Sequence, residues 1–242
     1  MMTCVFRFCV ILMLASVDCD RVSAGDIAKD DGPANAASKQ VFKEAERILK
    51  SIKVTEYKHA TNIDEDKGVY YCDCSGFVGY VLKQTVAKDD PQGPLSNGTK
   101  RPTAMEFEKT FAAAPVKAED GASWQKVERL ADARPGDVIA WRHEVPKPGN
   151  TGHVVIVGER PTVDDDGLVR VVVIDSTTKP QVDDTRAART SGIGRGTMWF
   201  KVDAEGRATA YLRGSKRAEP KSEAISIGRA LPGPKKAARR AA

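Results

Sequence analysis

The chain has 242 residues, 41% hydrophobic and 29% charged, which fits one ordinary soluble globular domain with extensions and not a membrane-embedded or wholly disordered chain. The formal net charge of +5 gathers at one end: nine Lys or Arg from Arg213 onward, against Glu219 and Glu223, give +7. Gly25 to Leu212 then carries −2, so the body is near neutral and no nucleic-acid partner is expected.

The opening MMTCVFRFCVILMLASVDCDRVSA joins an early Arg7 to an apolar run from Phe8 to Val17 and small residues at Val22 and Ala24. This is the pattern of a secretory signal over residues 1–24, cut after Ala24. The run is ten residues long, whereas a bilayer span needs about 20. An uncleaved anchor is the alternative. A lipoprotein at Cys19 fits less well, because Asp18 stands where a small residue belongs. Export places the protein in the periplasm or cell envelope, or outside the cell. The mature chain then keeps Cys72 and Cys74 as its cysteines. A disulfide between them would close a tight, strained ring, so a reactive thiol is the stronger reading.

Gly25 to Ala37 is small and polar and reads as a disordered leader. SKQVFKEAERILKSIKV puts Val41, Ala45, Ile48, Leu49 and Ile52 on one helical stripe, with Ser38 as N-cap. ATNIDEDKG reads as a loop, and a second helix runs from about Ser75 to Gln84. DDPQGPLSNGTKRP is rich in turn formers, and a third helix follows over Ala104 to Ala113. The whole stretch from Val86 to Gln125 is long enough to shape a cleft. Beyond Trp124 the pattern turns extended, at Val138–Trp141, His153–Val157, Leu168–Asp175, Thr197–Val202 and Ala208–Leu212. Helices followed by a strand series predict an α+β domain over residues 38–213, with an antiparallel sheet backed by helices. Residues 214–242 read as a basic, disordered tail, either a solvated end or an anchor to an anionic wall or membrane surface. The sequence shows no internal repeat, phosphate-binding loop or metal-ligand cluster, so neither cofactor nor metal is expected.

The chemistry concentrates in YYCDCSGFVGYVL. A helix starting after Asp73 turns Cys74, Phe77, Val78, Val81 and Leu82 to one side, which places Cys74 in its first turn. The unpaired N–H groups there stabilise a thiolate, and thiols so placed have pKa values of about 3.5–7.5. Cys72 precedes the helix and gains nothing from it. A nucleophilic thiol needs a base, and the mature chain offers His59, His143 and His153. His153 opens the strand GHVVIVG after a glycine turn, which predicts a ring at a sheet edge, fixed yet reachable. His143 sits in a charged loop, and His59 shares a loop with Tyr57 from which it can line a cleft. In LVRVVVIDSTT, alternation sets Asp175 opposite Arg170. It then either points inward to orient the base or caps a turn with Ser176 and Thr177.

DCSGFV at 73–78, RPGDVIAW at 134–141 and GHVVIVG at 152–158, in that order, resemble the NlpC-type cysteine peptidases. Those papain-like enzymes cut peptidoglycan stem peptides, and the CHAP amidases are their relatives. The resemblance spans about Ser38 to Leu212. It implies a papain-like fold, Cys74 as nucleophile, His153 as base and Tyr57 as the tyrosine that organises the site. His59, Asp73 and Ser75 join Tyr57 as expected substrate-binding residues. Lys58, His59 and Ala60 stand where the family often has Trp-Gly-Gly, and the third polar position, here Asp175, is commonly His, Asn or Gln.

The expected activity is therefore that of an exported cysteine hydrolase that cleaves peptidoglycan peptide amides through an acyl-enzyme. A thiol amidase or acyl hydrolase with another substrate is one alternative. A non-catalytic wall-binding module is the other, although binding alone needs neither Cys74 nor His153.

Overall fold

The computed structural model describes residues 31–86 and 101–232. The expected signal, residues 25–30 of the leader, most of the turn-rich run and the KKAARR end lie outside the described residues. Among the described residues no helix is long and apolar enough to cross a membrane.

Helix α1 spans Ala36–Ser51 and buries Ala37, Val41, Ala45 and Ile48, the stripe expected of an amphipathic helix. Its cap is Asn35 and not Ser38: the Asn35 side chain accepts from the Ser38 N–H at 2.8 Å, and its amide donates to the Ala230 carbonyl at 3.0 Å. Ser38 is buried in the first turn and its hydroxyl points to Asp137. The domain therefore begins before Ser38, inside the stretch expected to be leader. Helix α2 is Cys74–Gln84, capped by Asp73, and α3 is Ala104–Ala113, opened by a Thr103–Glu106 capping box.

Strands β1 (Val54–Glu56), β2 (Asn62–Asp64) and β3 (Val69–Tyr71) form a small sheet of order β1-β3-β2. ATNIDEDKG is thus a strand and a turn, not a plain loop. The Asp64 carboxylate takes the Lys67 N–H and ammonium, and Gly68, at φ +67°, completes the reversal into β3.

The large sheet contains β4 (Trp124–Lys126), β5 (Val138–Lys147), β6 (Asn150–Val157), β7 (Thr162–Val163) and β8 (Val169–Thr177). It continues with β9 (Gly192–Val202), β10 (Ala208–Leu212), β11 (Lys221–Ser222) and β12 (Ala224–Ala230). Its order is β11-β10-β9-β8-β6-β5-β12-β4, with β7 beside β8, and every pairing is antiparallel. The fold is α+β. One face, with Val138, Ala140, Val154, Ile156 and Ile174, packs on all three helices. The other face gathers Ile139, Trp141, Val155, Val173, Phe200 and Tyr211 around Leu130. The rings of Trp141 on β5 and Tyr211 on β10 lie 4.5 Å apart although β6, β8 and β9 separate their strands, so the sheet curls around this second core. Burial on both faces explains why VIAW and VRVVVID read as unbroken apolar runs.

The domain does not end at 213. In β12, Ile227 faces the second core, while Ser226 donates to Glu108 of α3 at 2.8 Å from the other face. Ile227 pairs with Ile139 and Ala230 with Trp124, so this strand joins β5 to β4. The basic composition of the segment conceals a seven-residue alternation, AISIGRA, that needs neighbours on both sides to form. A Cβ on Gly228 would lie 2.3 Å from the Phe111 ring, so α3 approaches the sheet over a residue with no side chain.

Truncation before Gly214 is expected to remove cooperative thermal unfolding, because it deletes an internal strand. Gly228→Ala should destabilise the protein by about 1–3 kcal/mol through overpacking, read from denaturant midpoints. A truncated protein that melts like the full chain would contradict the assignment.

Candidate active site

Asp73 builds the local geometry. Its Oδ1 accepts the Gly76 N–H at 2.8 Å and the Ser75 hydroxyl at 3.1 Å, which closes the first turn of α2 and leaves Cys74 as the first helical residue. The amide groups of that turn have no acceptor within the helix and carry its positive end. Cys74 is 5% exposed and lines a cavity of about 200 Å³. Around it stand Tyr57, His59, Asp73, Ser75, Arg101 and Thr103, with Gly149, Thr151 and Gly152 among the remaining lining residues.

Cys72 lies wholly buried two residues earlier, and the Ser176 hydroxyl donates to its carbonyl at 2.7 Å. Burial pushes its thiol up to about 12 against the smaller pull of Ser176, so it stays protonated.

His153 enters from β6. It pairs with Trp141 of β5 in the register, which makes β6 an inner strand and not a sheet edge, and the two ring centroids lie 5.1 Å apart at a tilt of 52°. The preceding residue must be glycine. Gly152 has φ +146°, and a Cβ there would meet the Trp141 carbonyl at 1.9 Å. That bend lets the hairpin of β5 and β6 pass beside the cavity.

Asp175, on neighbouring β8, is fully buried and faces the same side as His153. Its Oδ2 stands 2.8 Å from His153 Nε2 and also accepts from Gln181 Nε2 at 2.9 Å. Its Oδ1 accepts from the Arg186 guanidinium at 2.9 Å. Among the described residues the Asp175 carboxylate thus points inward, to His153, Gln181 and Arg186. Burial opposes its charge, but Arg186 and His153 outweigh burial and hold the carboxyl well below the usual range. Burial likewise disfavours a charged His153, yet the neighbouring Cys74 charge and the Asp175 bond raise it to about 9. With Nε2 committed to Asp175, Nδ1 is the nitrogen left for the thiol.

The Tyr57 side chain lies beside Cys74, and burial, with the Cys74 and Asp73 charges next to it, raises its hydroxyl so that it stays protonated. Its backbone N–H is fixed by the Ser191 hydroxyl at 3.1 Å. His59 lines the cavity with Nδ1 at 3.2 Å from Asp73 Oδ2, and its ring meets Tyr57 edge-on. His143 lies apart from this group. It belongs to β5 and not to a loop, held by Glu223 at 2.8 Å and Asn150 at 3.1 Å. The extra strand length arises because the β5–β6 ladder resumes beyond a bulge, at Lys147 and Asn150.

Sequence reasoning missed Gln181, Asp184, Arg186 and Arg101. Arg186 is clamped by both Asp184 oxygens, at 2.8 and 2.6 Å, and also donates to the carbonyls of Asp175 and Gly192. The segment between β8 and β9 that supplies these groups has no periodicity, so composition alone carries no sign of them. Arg101 donates to the His59 carbonyl at 2.6 Å and pairs with Asp73. It closes one wall of the cavity, so the long stretch after Val86 does shape the cleft.

Removing Arg186 leaves two buried carboxylates without their cation, and Arg186→Met is expected to cost about 3–5 kcal/mol in chemical denaturation. A loss below about 1 kcal/mol would contradict the network. The His153 ring should titrate near 9 by NMR and move lower in Asp175→Asn, because Asp175 favours the charged ring. The stability carried by protonated His153 is complete below about pH 6.5, its unfolded value, and is lost as pH rises through about 9. An unmoved titration in Asp175→Asn would separate the two groups electrostatically.

Among protein-family models, curated proteins and solved structures, none matches this chain.

Proposed function

We propose that the protein is an exported thiol hydrolase of papain-like architecture that cleaves amide bonds in peptidoglycan stem peptides. One observation carries the hydrolase reading. A cysteine at a helix start lines an open cavity, and behind it stand a buried histidine and a buried aspartate bonded to that histidine. The motif resemblance at 73–78, 134–141 and 152–158 supports the choice of substrate, and the signal-like opening supports export.

His153 takes the Cys74 proton as the reaction begins. The thiolate attacks the amide carbonyl, and the new C–S bond pushes an electron pair onto oxygen. The Cys74 N–H at the helix start faces that oxyanion. His153 gives its proton to the leaving nitrogen as the C–N bond breaks. The neutral imidazole then takes a proton from water, whose oxygen attacks the thioester, and thiolate departs as the imidazolium is restored. Asp175 remains ionised throughout and keeps the ring aligned. Tyr57 donates to the resting sulfur and steers it toward the cavity.

Incubation with peptidoglycan fragments, followed by mass spectrometry, should yield two products that together exceed the substrate by one water. Cys74→Ala should abolish them, and His153→Ala should slow them by about 10²–10⁴-fold. His143→Ala should keep most activity. Intact fragments with the wild-type protein would reject the substrate assignment. Equal losses for His143→Ala and His153→Ala, both folded, would reject the base.

A further inference from the structure

We infer that the mouth of the cavity is an anion subsite, in which Arg101 receives a substrate carboxylate close to the scissile amide. The inference starts from Asp73, the carboxylate among the lining residues. A carboxylate has about four lone-pair positions. Here Oδ1 takes the Gly76 N–H, the Ser75 hydroxyl and Arg101, while Oδ2 takes the His59 ring. Asp73 therefore keeps at most one acceptor position, on Oδ2, and its charge is already paired with the Arg101 cation. Burial raises its carboxyl, but Arg101, Gly76 and His59 prevail and lower it, so the charge of that pair is stable.

Arg101 is in the opposite condition. A guanidinium has about five N–H donors in a planar fork. Among the described residues two of them are committed, to the His59 carbonyl and to Asp73. Its side chain is 40% exposed and borders the same cavity as Cys74. The two fixed bonds hold the fork still, so a ligand need not restrict a free side chain. His59 adds a second nitrogen base at the mouth, with its side chain 62% exposed. The wall at Gly149, Thr151 and Gly152 contributes one short side chain, that of Thr151. Donors are thus in surplus where the substrate enters, and a carboxylate is the ligand that a guanidinium fork matches in pairs of hydrogen bonds.

Asp73 directly precedes Cys74, so an anion held by Arg101 lies beside the carbonyl under attack. The subsite selects peptides with a carboxylate flanking the cleaved bond and disfavours those with a carboxamide or an ammonium group there. This identification of the substrate class rests on the hydrolase reading, whereas the anion site itself does not.

The test uses two alkylating agents of the same size, iodoacetate and iodoacetamide, on the full-length protein. Each transfers its carbon to the Cys74 sulfur with loss of iodide, and neither requires hydrolysis. The ratio of the iodoacetate rate to the iodoacetamide rate should fall about tenfold in Arg101→Met, the loss expected for one charge-assisted hydrogen-bonding partner. Arg101→Lys keeps the charge without the fork and should fall between the two, which also serves if the Met variant does not fold. A ratio that changes less than about twofold in either folded variant would overturn the subsite. A matched pair of peptides, differing in carboxylate or carboxamide beside the scissile amide, completes the test. Wild type should prefer the carboxylate in kcat/KM, and Arg101→Met should lose that preference. If neither peptide is cut while the alkylation ratio falls, the anion site stands and the hydrolase reading fails.

Discussion

The arrangement around Cys74 depends on a charge sealed inside the protein. Asp175 is ionised with no exposed surface, a state that costs several kcal/mol unless partners surround it. They do: His153 and Gln181 on one oxygen, Arg186 on the other. Arg186 in turn is clamped by Asp184, and Gln181 donates its backbone N–H to the same Asp184 at 2.7 Å. The irregular segment after β8 is thus folded around a buried guanidinium. Its product is a carboxylate that can neither rotate nor readily protonate, and a histidine whose Nε2 always has a partner. Arg186 thus balances one oxygen of Asp175 while the other holds His153.

Much of this was legible in the sequence, for identifiable reasons. Cys74 announces itself through an Asp cap, a first-turn position and the apolar stripe of Phe77, Val78, Val81 and Leu82, all local features. His153 stands out because GHVVIVG is a strand entered through glycine. Asp175 was left between two roles, since alternation can say which face a residue takes but not what waits there. Arg186 and Arg101 were illegible. Each acts through partners far along the chain or in aperiodic segments, and neither belongs to a pattern of its own. The α+β class could be read from the order of periodicities, but the end of the domain could not. Strand β12 carries an Arg and lies in a basic segment, so averaged composition resembled a tail. Its alternation becomes meaningful only between β5 and β4. The same logic shifted the helix cap from Ser38 to Asn35, whose amide finds its acceptor on Ala230 at the far end of the domain.

Rigid and adjustable parts divide along the same lines. Helix α2 packs Phe77, Val78, Val81 and Leu82 into the core at no exposure, so Cys74 stands on a fixed element. His153 stands on a central strand. By contrast the mouth is made from exposed His59, partly exposed Arg101 and the glycine-bearing turn of the β5–β6 hairpin. Cys74 and His153 lie where packing is tight, whereas the mouth lies where side chains meet solvent.

The account rests on one claim, that His153 activates Cys74 while Cys72 remains inert. Peptide mapping after brief iodoacetamide treatment at neutral pH tests it most directly, on the native protein and on His153→Ala. Cys74 should be modified well before Cys72, and loss of His153 should slow its modification by about tenfold or more. Equal modification of the two cysteines, or a Cys74 rate indifferent to His153, would contradict it.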